Sequence, residues 1–229
     1  MTLKIRNKKQ IITWAIWGII VLALVIFLIR IAVFEANYYS KKEGSFRAII
    51  DTVDIAEEPV DETKPTEEEI RSYVVAPDLP RYLSIDSLNI KNAKVIQVGV
   101  KSDKKLGTPN NIYDVGWYNG SKKPGENGTM VFDAHSGGPS EHGIFKNLPE
   151  VPINDIIKIE RGDGATFYYK VVENKAIPLD EADKYMRTAF RSPELGKSSI
   201  TLITCSGEWS NVRKTYLSRQ FVRAVLVES

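Results

Sequence analysis

One cysteine, Cys205, stands in the 229 residues, so no intrachain disulfide can form. An unpaired thiol is notable in an extracytoplasmic protein, where thiols are usually either paired or used. Net charge is also scarce, at +2. No basic cluster interleaved with aromatics appears, which removes the electrostatic footprint of a nucleic-acid-binding protein. The chain has no internal repeat and no low-complexity tract, which excludes solenoid and array architectures. What is present is a 43% hydrophobic composition, sufficient for a packed core in one domain plus accessory segments.

One long hydrophobic run opens the chain. Residues 11–29 carry no charge, and Thr13 and Gly18 are its mild interruptions. At about 1.5 Å per residue, such a helix spans the roughly 30 Å hydrocarbon core of a bilayer. Lys4, Arg6, Lys8 and Lys9 precede it, which puts the N-terminus in the cytoplasm, and Arg30 can snorkel at the far end. The competing reading is a cleaved signal peptide, whose apolar region is usually about 7–15 residues and ends in an A-x-A-like site. This run is longer and no such site follows. The expected layout is therefore a basic cytoplasmic tail over 1–10, a transmembrane signal anchor over 11–33, an extracytoplasmic spacer over 34–79 and a folded domain over 80–229.

Between residues 51 and 69 acids crowd together, broken by Pro59 and Pro65, and the composition predicts a solvated spacer. Short helices are conceivable at 48–50 and 67–75. From about Arg81 the texture changes to short β-like runs at 82–85, 93–100, 129–133, 156–161, 166–173, 199–204 and 220–227. Turn signals such as Asn110-Asn111, Pro124-Gly125 and Asp163-Gly164 punctuate them. The tripeptides beginning at Asn119 and Asn127 match a glycosylation pattern, but both read as turn chemistry. One segment in this region, 181–190, has a helical pattern. The class is mainly β, a closed or nearly closed barrel with one or two short helices.

Cys205 follows a strong strand pattern, Ser199-Ser-Ile-Thr-Leu-Ile-Thr, and precedes the turn-like Ser206-Gly207. A buried, inert thiol is the ordinary reading of a lone cysteine. His135 argues for chemistry, because it also follows a strand, Thr129-Met-Val-Phe-Asp-Ala. Two strand ends can meet on one rim of a barrel. A thiol with a pKa near about 8.5 needs a base or cation to become a nucleophile, and imidazole can take that proton and later give it to a leaving amine. His142 lies in a loop without a preceding strand and ranks below His135. Arg219 opens the last strand pattern, where alternation sets it on one face with Phe221 and Arg223. Its fixed charge suits the oxyanion of an acyl-transfer transition state. Arg213 and Arg223 read as solvated surface charges.

These residues resemble a known family. Thr201-Leu-Ile-Thr-Cys205 is similar to the T-L-x-T-C signature of sortases, surface enzymes that join sorting-signal proteins to cell-wall or pilin amines. Val131-Phe-Asp-Ala-His135, Arg219-Gln-Phe-Val and Gly116-Trp-Tyr followed by Pro124-Gly-Glu-Asn-Gly128 extend the likeness, which covers roughly Pro80 to Ser229. The resemblance implies a sortase-type barrel and a ping-pong reaction. Cys205 attacks an LPxTG-like signal, His135 serves as acid and base, and Arg219 binds the signal or stabilises the oxyanion. An amine acceptor, on a wall precursor or a pilin lysine, then resolves the thioester. The resemblance also implies a single-pass protein of a bacterial membrane with its catalytic domain outside, and a substrate groove shaped by 177–197. Ala134 stands where many sortases carry Gly, and the segment 136–142 is this chain's own, which leaves the subclass open. Acids concentrate in the spacer, so no metal and no other cofactor is expected. Two other classes stay open: another cysteine acyl-transferase acting on peptidoglycan, whose S-x-G-C context differs from the one here, and a non-enzymatic surface module with a buried thiol.

Overall fold

The computed structural model describes residues 60–99 and 107–228, together with Trp17, Gly18, Leu22, Ile29, Arg30 and Val33. Those six positions apart, the expected anchor over 11–33 lies outside the described residues, as does the spacer up to residue 59. Among the described residues no helix is long and apolar enough to cross a membrane.

Eight strands form the domain: β1 (Pro80–Ile85), β2 (Ile90–Val98), β3 (Val115–Tyr118), β4 (Gly128–Asp133), β5 (Ile156–Arg161), β6 (Thr166–Pro178), β7 (Ser198–Ser210) and β8 (Thr215–Glu228). They close into a barrel in the order β1-β2-β3-β4-β7-β8-β6-β5, with β5 pairing back onto β1. The β2/β3 and β4/β7 pairs are parallel and the other six are antiparallel. Alternation along each strand sends one set of side chains into a common interior, including Leu83, Trp117, Met130, Phe132, Leu202 and Val222. Each such burial contributes about 1.5–3 kcal/mol relative to exposure.

Strand β7 is buried on both faces along Ser198–Ser206, because its outer side is covered as well. Helix α2 (Leu179–Ala189) packs over the neighbouring β8 and β6 and reaches β7 at its C-terminal end; it starts two residues before the sequence pattern predicts and ends one residue earlier. Its Ala182, Met186 and Ala189 recur at helical spacing and are buried, while Thr201 of β7 donates to the Ala189 carbonyl at 2.6 Å. Tyr185 packs on Phe221 of β8 at 4.8 Å between ring centres.

Strand β3 is absent from the sequence reading. It has four residues and a glycine at its second position, too short and too interrupted for a period-two signal. Arg223 also differs from expectation. It is not a solvated charge but a buried one, paired with Glu173 at 2.7 Å and donating to the Thr188 and Arg191 carbonyls at the end of α2.

The acidic stretch enters the domain earlier than its composition suggests. Asp61 forms a parallel bridge with Asn111, and its carboxylate accepts from the Asn111 amide at 2.9 Å. Helix α1 (Glu67–Ser72) follows, with a capping box in which Thr66 and Glu69 satisfy each other's backbone N–H groups. Its carboxylates stay in solvent, and the segment is held by Tyr73, whose hydroxyl donates to the Val95 carbonyl at 2.6 Å.

Candidate active site

Strand β4 explains the position of His135. Met130, Phe132 and Ala134 belong to the interior cluster, so Val131, Asp133 and His135 point to the outer face. On β7, Ile200 and Leu202 point inward, leaving Thr201, Ile203 and Cys205 outward. On β8, Val222 and Ala224 are interior, so Arg219, Phe221 and Arg223 face out, the shared face that alternation predicts.

Register then aligns the three. Asp133 is paired with Ile203 across the parallel β4/β7 ladder. Two residues further on, the same register sets His135 abreast of Cys205. The Ala134 N–H donates to the Ile203 carbonyl at 3.2 Å and the Thr204 hydroxyl to the Ala134 carbonyl at 2.7 Å, which extends the ladder past the end of β4. Cys205 is in turn directly opposite Arg219 on β8. With neighbouring strands about 4.8 Å apart, His135, Cys205 and Arg219 form one row across three strands.

Cys205 does not end its strand, as the turn-like Ser206-Gly207 implied; β7 and β8 continue beyond it as a hairpin. Arg219 accordingly lies inside β8 and does not open it. What the Ser-Gly pair marks is a break in register between Ser206 and Trp209, with Gly207 at φ 78°. A bulge of this kind twists a strand and re-aims the side chains beside it. His142 lies elsewhere, exposed in a tight turn bridged to Gly137.

All three row members are nearly enclosed, with exposures of 6% for Cys205, 4% for His135 and 0% for Arg219. The His135 Nε2 is 2.9 Å from the Pro109 carbonyl oxygen. A carbonyl can accept but not donate, so Nε2 carries the hydrogen and Nδ1 is left as the acceptor of the neutral ring. Burial holds the imidazole below its usual pKa, against the opposing pull of that carbonyl. Burial likewise pushes the Cys205 thiol up to about 11; the Arg219 charge works to lower it and the Asp133 charge to raise it. The resting pair is thus a thiol and a neutral imidazole. Arg219 is fixed by its own strand, donating from Nη1 to the Tyr216 and Ser218 carbonyls at 3.1 Å each and from Nη2 to Thr215 Oγ1 at 3.2 Å.

Asp133, unmarked in the sequence reading, is a fourth polar group on this face. Burial raises its carboxyl to about 7. No residue pattern announces it, since an acid two positions before a histidine is ordinary. Its relevance comes from the register that sets it diagonally across from Cys205. Among the described residues no group of three or more His, Cys, Asp or Glu side chains is gathered to hold a metal.

Residues 83–227 match the sortase domain family. Among solved structures, the chain is similar to "Sortase C1 of GBS Pilus Island 1", with 22% identity, TM-score 0.50 and coverage of 83% of this chain and 85% of that one. It is also similar to Streptococcus pneumoniae sortase C, with 19% identity, TM-score 0.49 and coverage of 82% and 88%. Sortase C from Clostridium perfringens SM101 aligns at 23% identity and TM-score 0.45 over 73% and 78% of the two chains. A comparison with curated proteins gave no significant match. With its family signature spanning almost the whole barrel, the chain belongs to the sortase family.

Proposed function

We propose that the chain is a cysteine transpeptidase that cleaves an LPxTG-like sorting signal through a thioester on Cys205. It then transfers the acyl group to an amine on a cell-wall precursor or a pilin subunit. The observation that carries this reading is the single row His135–Cys205–Arg219 on one face of three adjacent strands. A thiol beside a neutral imidazole reacts by general-base catalysis: His135 takes the proton as sulfur attacks the scissile carbonyl, then gives it to the departing amine. Arg219, anchored by carbonyls of its own strand, supplies positive charge beside the sulfur as the oxyanion develops. In the same reading residues 11–33 anchor the protein in a bacterial membrane, with the barrel outside. The loop and α2 between residues 177 and 197 border the substrate groove.

Intact-protein mass spectrometry of the detergent-solubilised full chain, mixed with a pool of LPxTG-like peptides, tests the proposal. The expected result is a mass increase equal to the N-terminal peptide fragment, released by added amine and absent in Cys205→Ala. A folded protein that gives no adduct with any peptide sinks the reading.

A further inference from the structure

Asp133 poses an unsolved problem of polar satisfaction. Its Oδ1 is shut off from solvent and meets no hydrogen-bond donor among the described residues. Buried polar atoms without partners are rare enough that each one asks for a reason. No basic side chain draws its pKa down; the opposing influence is its own backbone N–H. The carboxyl nevertheless has a place made for it. On β3, Gly116 is its register partner, and a Cβ there would lie 2.8 Å from Oδ1 and 2.9 Å from the Pro109 ring. A side chain at 116 would evict the carboxylate.

Location gives the reason. Asp133 shares the outer face with His135 on its own strand and stands diagonally from Cys205, whose thiol feels its charge. Arg219 stands beyond Cys205, one strand further from Asp133. Pro109 joins the two groups, its ring beside the Asp133 carboxyl and its carbonyl on His135 Nε2. The site therefore holds an unpaired acceptor next to the nucleophile, on the side away from the guanidinium. Oδ1 itself is enclosed, but the residue as a whole is only half-buried, so a ligand approaches Asp133 from its remaining exposed side.

We infer that Asp133 receives the ammonium group of the incoming acceptor and takes its first proton. The inference rests on the transpeptidase reading and assigns the residue that receives that reading's acceptor, a primary alkylamine charged at neutral pH. The ammonium N–H bond breaks toward the Asp133 carboxylate, leaving a neutral amine. Its nitrogen lone pair attacks the thioester carbonyl and forms the C–N bond. The C–S bond then breaks and the electron pair returns to sulfur. The second nitrogen proton passes through His135 to Cys205, and Asp133 releases its own proton to water. A carboxyl titrating near neutrality suits this exchange better than an ordinary one, whose conjugate acid is too strong.

The test compares two acceptors on the same thioester: Nα-acetyl-lysine amide, charged at neutral pH, and hydroxylamine, which is mostly neutral there. The full chain and its Asp133→Asn variant are each loaded with an LPxTG-like peptide that forms an adduct, and both transfer products are quantified by mass. The expected result is a fall of about 10²-fold in the ratio of lysine to hydroxylamine transfer in Asp133→Asn, the size of effect usual for a lost general base. A rise in the KM for lysine amide should accompany it, and Asp133→Glu should recover part of the ratio. An unchanged ratio overturns the proposal. So does an equal loss with both acceptors, which would make Asp133 a structural residue. If the wild-type chain forms no adduct at all, the transpeptidase reading fails and this inference fails with it.

Discussion

At the residue scale, the site is defined by what burial does to each group. Arg219 is the clearest case for chemical identity over charge. Its two Nη groups are spread over three acceptors, a geometry that the compact ammonium of lysine cannot reproduce. Arg219→Lys is expected to slow thioester formation by about 10²-fold, comparable to losing an oxyanion donor. Near-normal rates in the mass assay would remove Arg219 from the chemistry. For Cys205, iodoacetamide alkylation should climb with pH and show no plateau below the value of about 11 to which burial pushes the thiol. A plateau near neutrality would mean that a thiolate exists at rest. For Asp133 the sign runs the other way from the usual carboxylate. Its folded-state value of about 7 lies above the ordinary 3.8, so between those values the unfolded chain has lost a proton that the folded chain keeps. Stability should therefore fall as pH rises from about 4 to about 7 and level off above, by this group's contribution. Asp133→Asn should flatten that decline in denaturant midpoints taken across the same range.

At the element scale, the sequence showed which residues come together better than it showed how they are held. Thr201-Leu-Ile-Thr-Cys205 alternates cleanly enough to read as a strand, and the outer-face set of Arg219, Phe221 and Arg223 follows from period two alone. Where β7 and β8 stop could not be read, because Gly207 looks like a terminus but acts as a bulge inside a longer ladder. Strand β3 escaped because its stability comes from β2 and β4 on either side and not from its own four residues. Arg223 was misread for a related reason: a charged residue near a strand's outer face looks solvated until a helix covers it. Its guanidinium caps the carboxyl end of α2, where positive charge is favoured, and pairs with Glu173, to which the Tyr185 hydroxyl also donates at 2.5 Å. Arg223→Met strips three interactions and leaves Glu173 with less compensation. The expected cost is about 3–5 kcal/mol in chemical denaturation. A loss below about 1 kcal/mol, the range of exposed pairs, would show that the pair is effectively solvated.

At the scale of the whole molecule, the segment before the barrel is tied to both loops that flank His135. The Asp61 N–H donates to the Asn110 carbonyl at 2.8 Å, next to the Pro109 that holds the imidazole. The Glu62 carboxylate accepts from the Ser140 and Glu141 backbone N–H groups at 2.9 Å each and from the Ser140 hydroxyl. Composition could not announce this, because an acid that caps loop amides is indistinguishable in sequence from one in a solvated run. Glu62→Gln keeps the shape but lessens the charge-assisted strength of those bonds. It is expected to speed amide hydrogen exchange at Ser140 and Glu141 while leaving β7 and β8 protected. Unchanged exchange at both amides would mean that the turn holds itself.

The strand order has a consequence for synthesis. Strand β8, latest of the eight to emerge from the ribosome, is inserted between β7 and β6 and not at a seam next to its predecessor alone. Until it arrives, both of those strands present open edges, the surfaces on which nascent chains stick to one another. The row that contains Cys205 lacks its guanidinium for just as long. A growing chain therefore carries the thiol without the rest of its row, and closure of the barrel and completion of that row are one event.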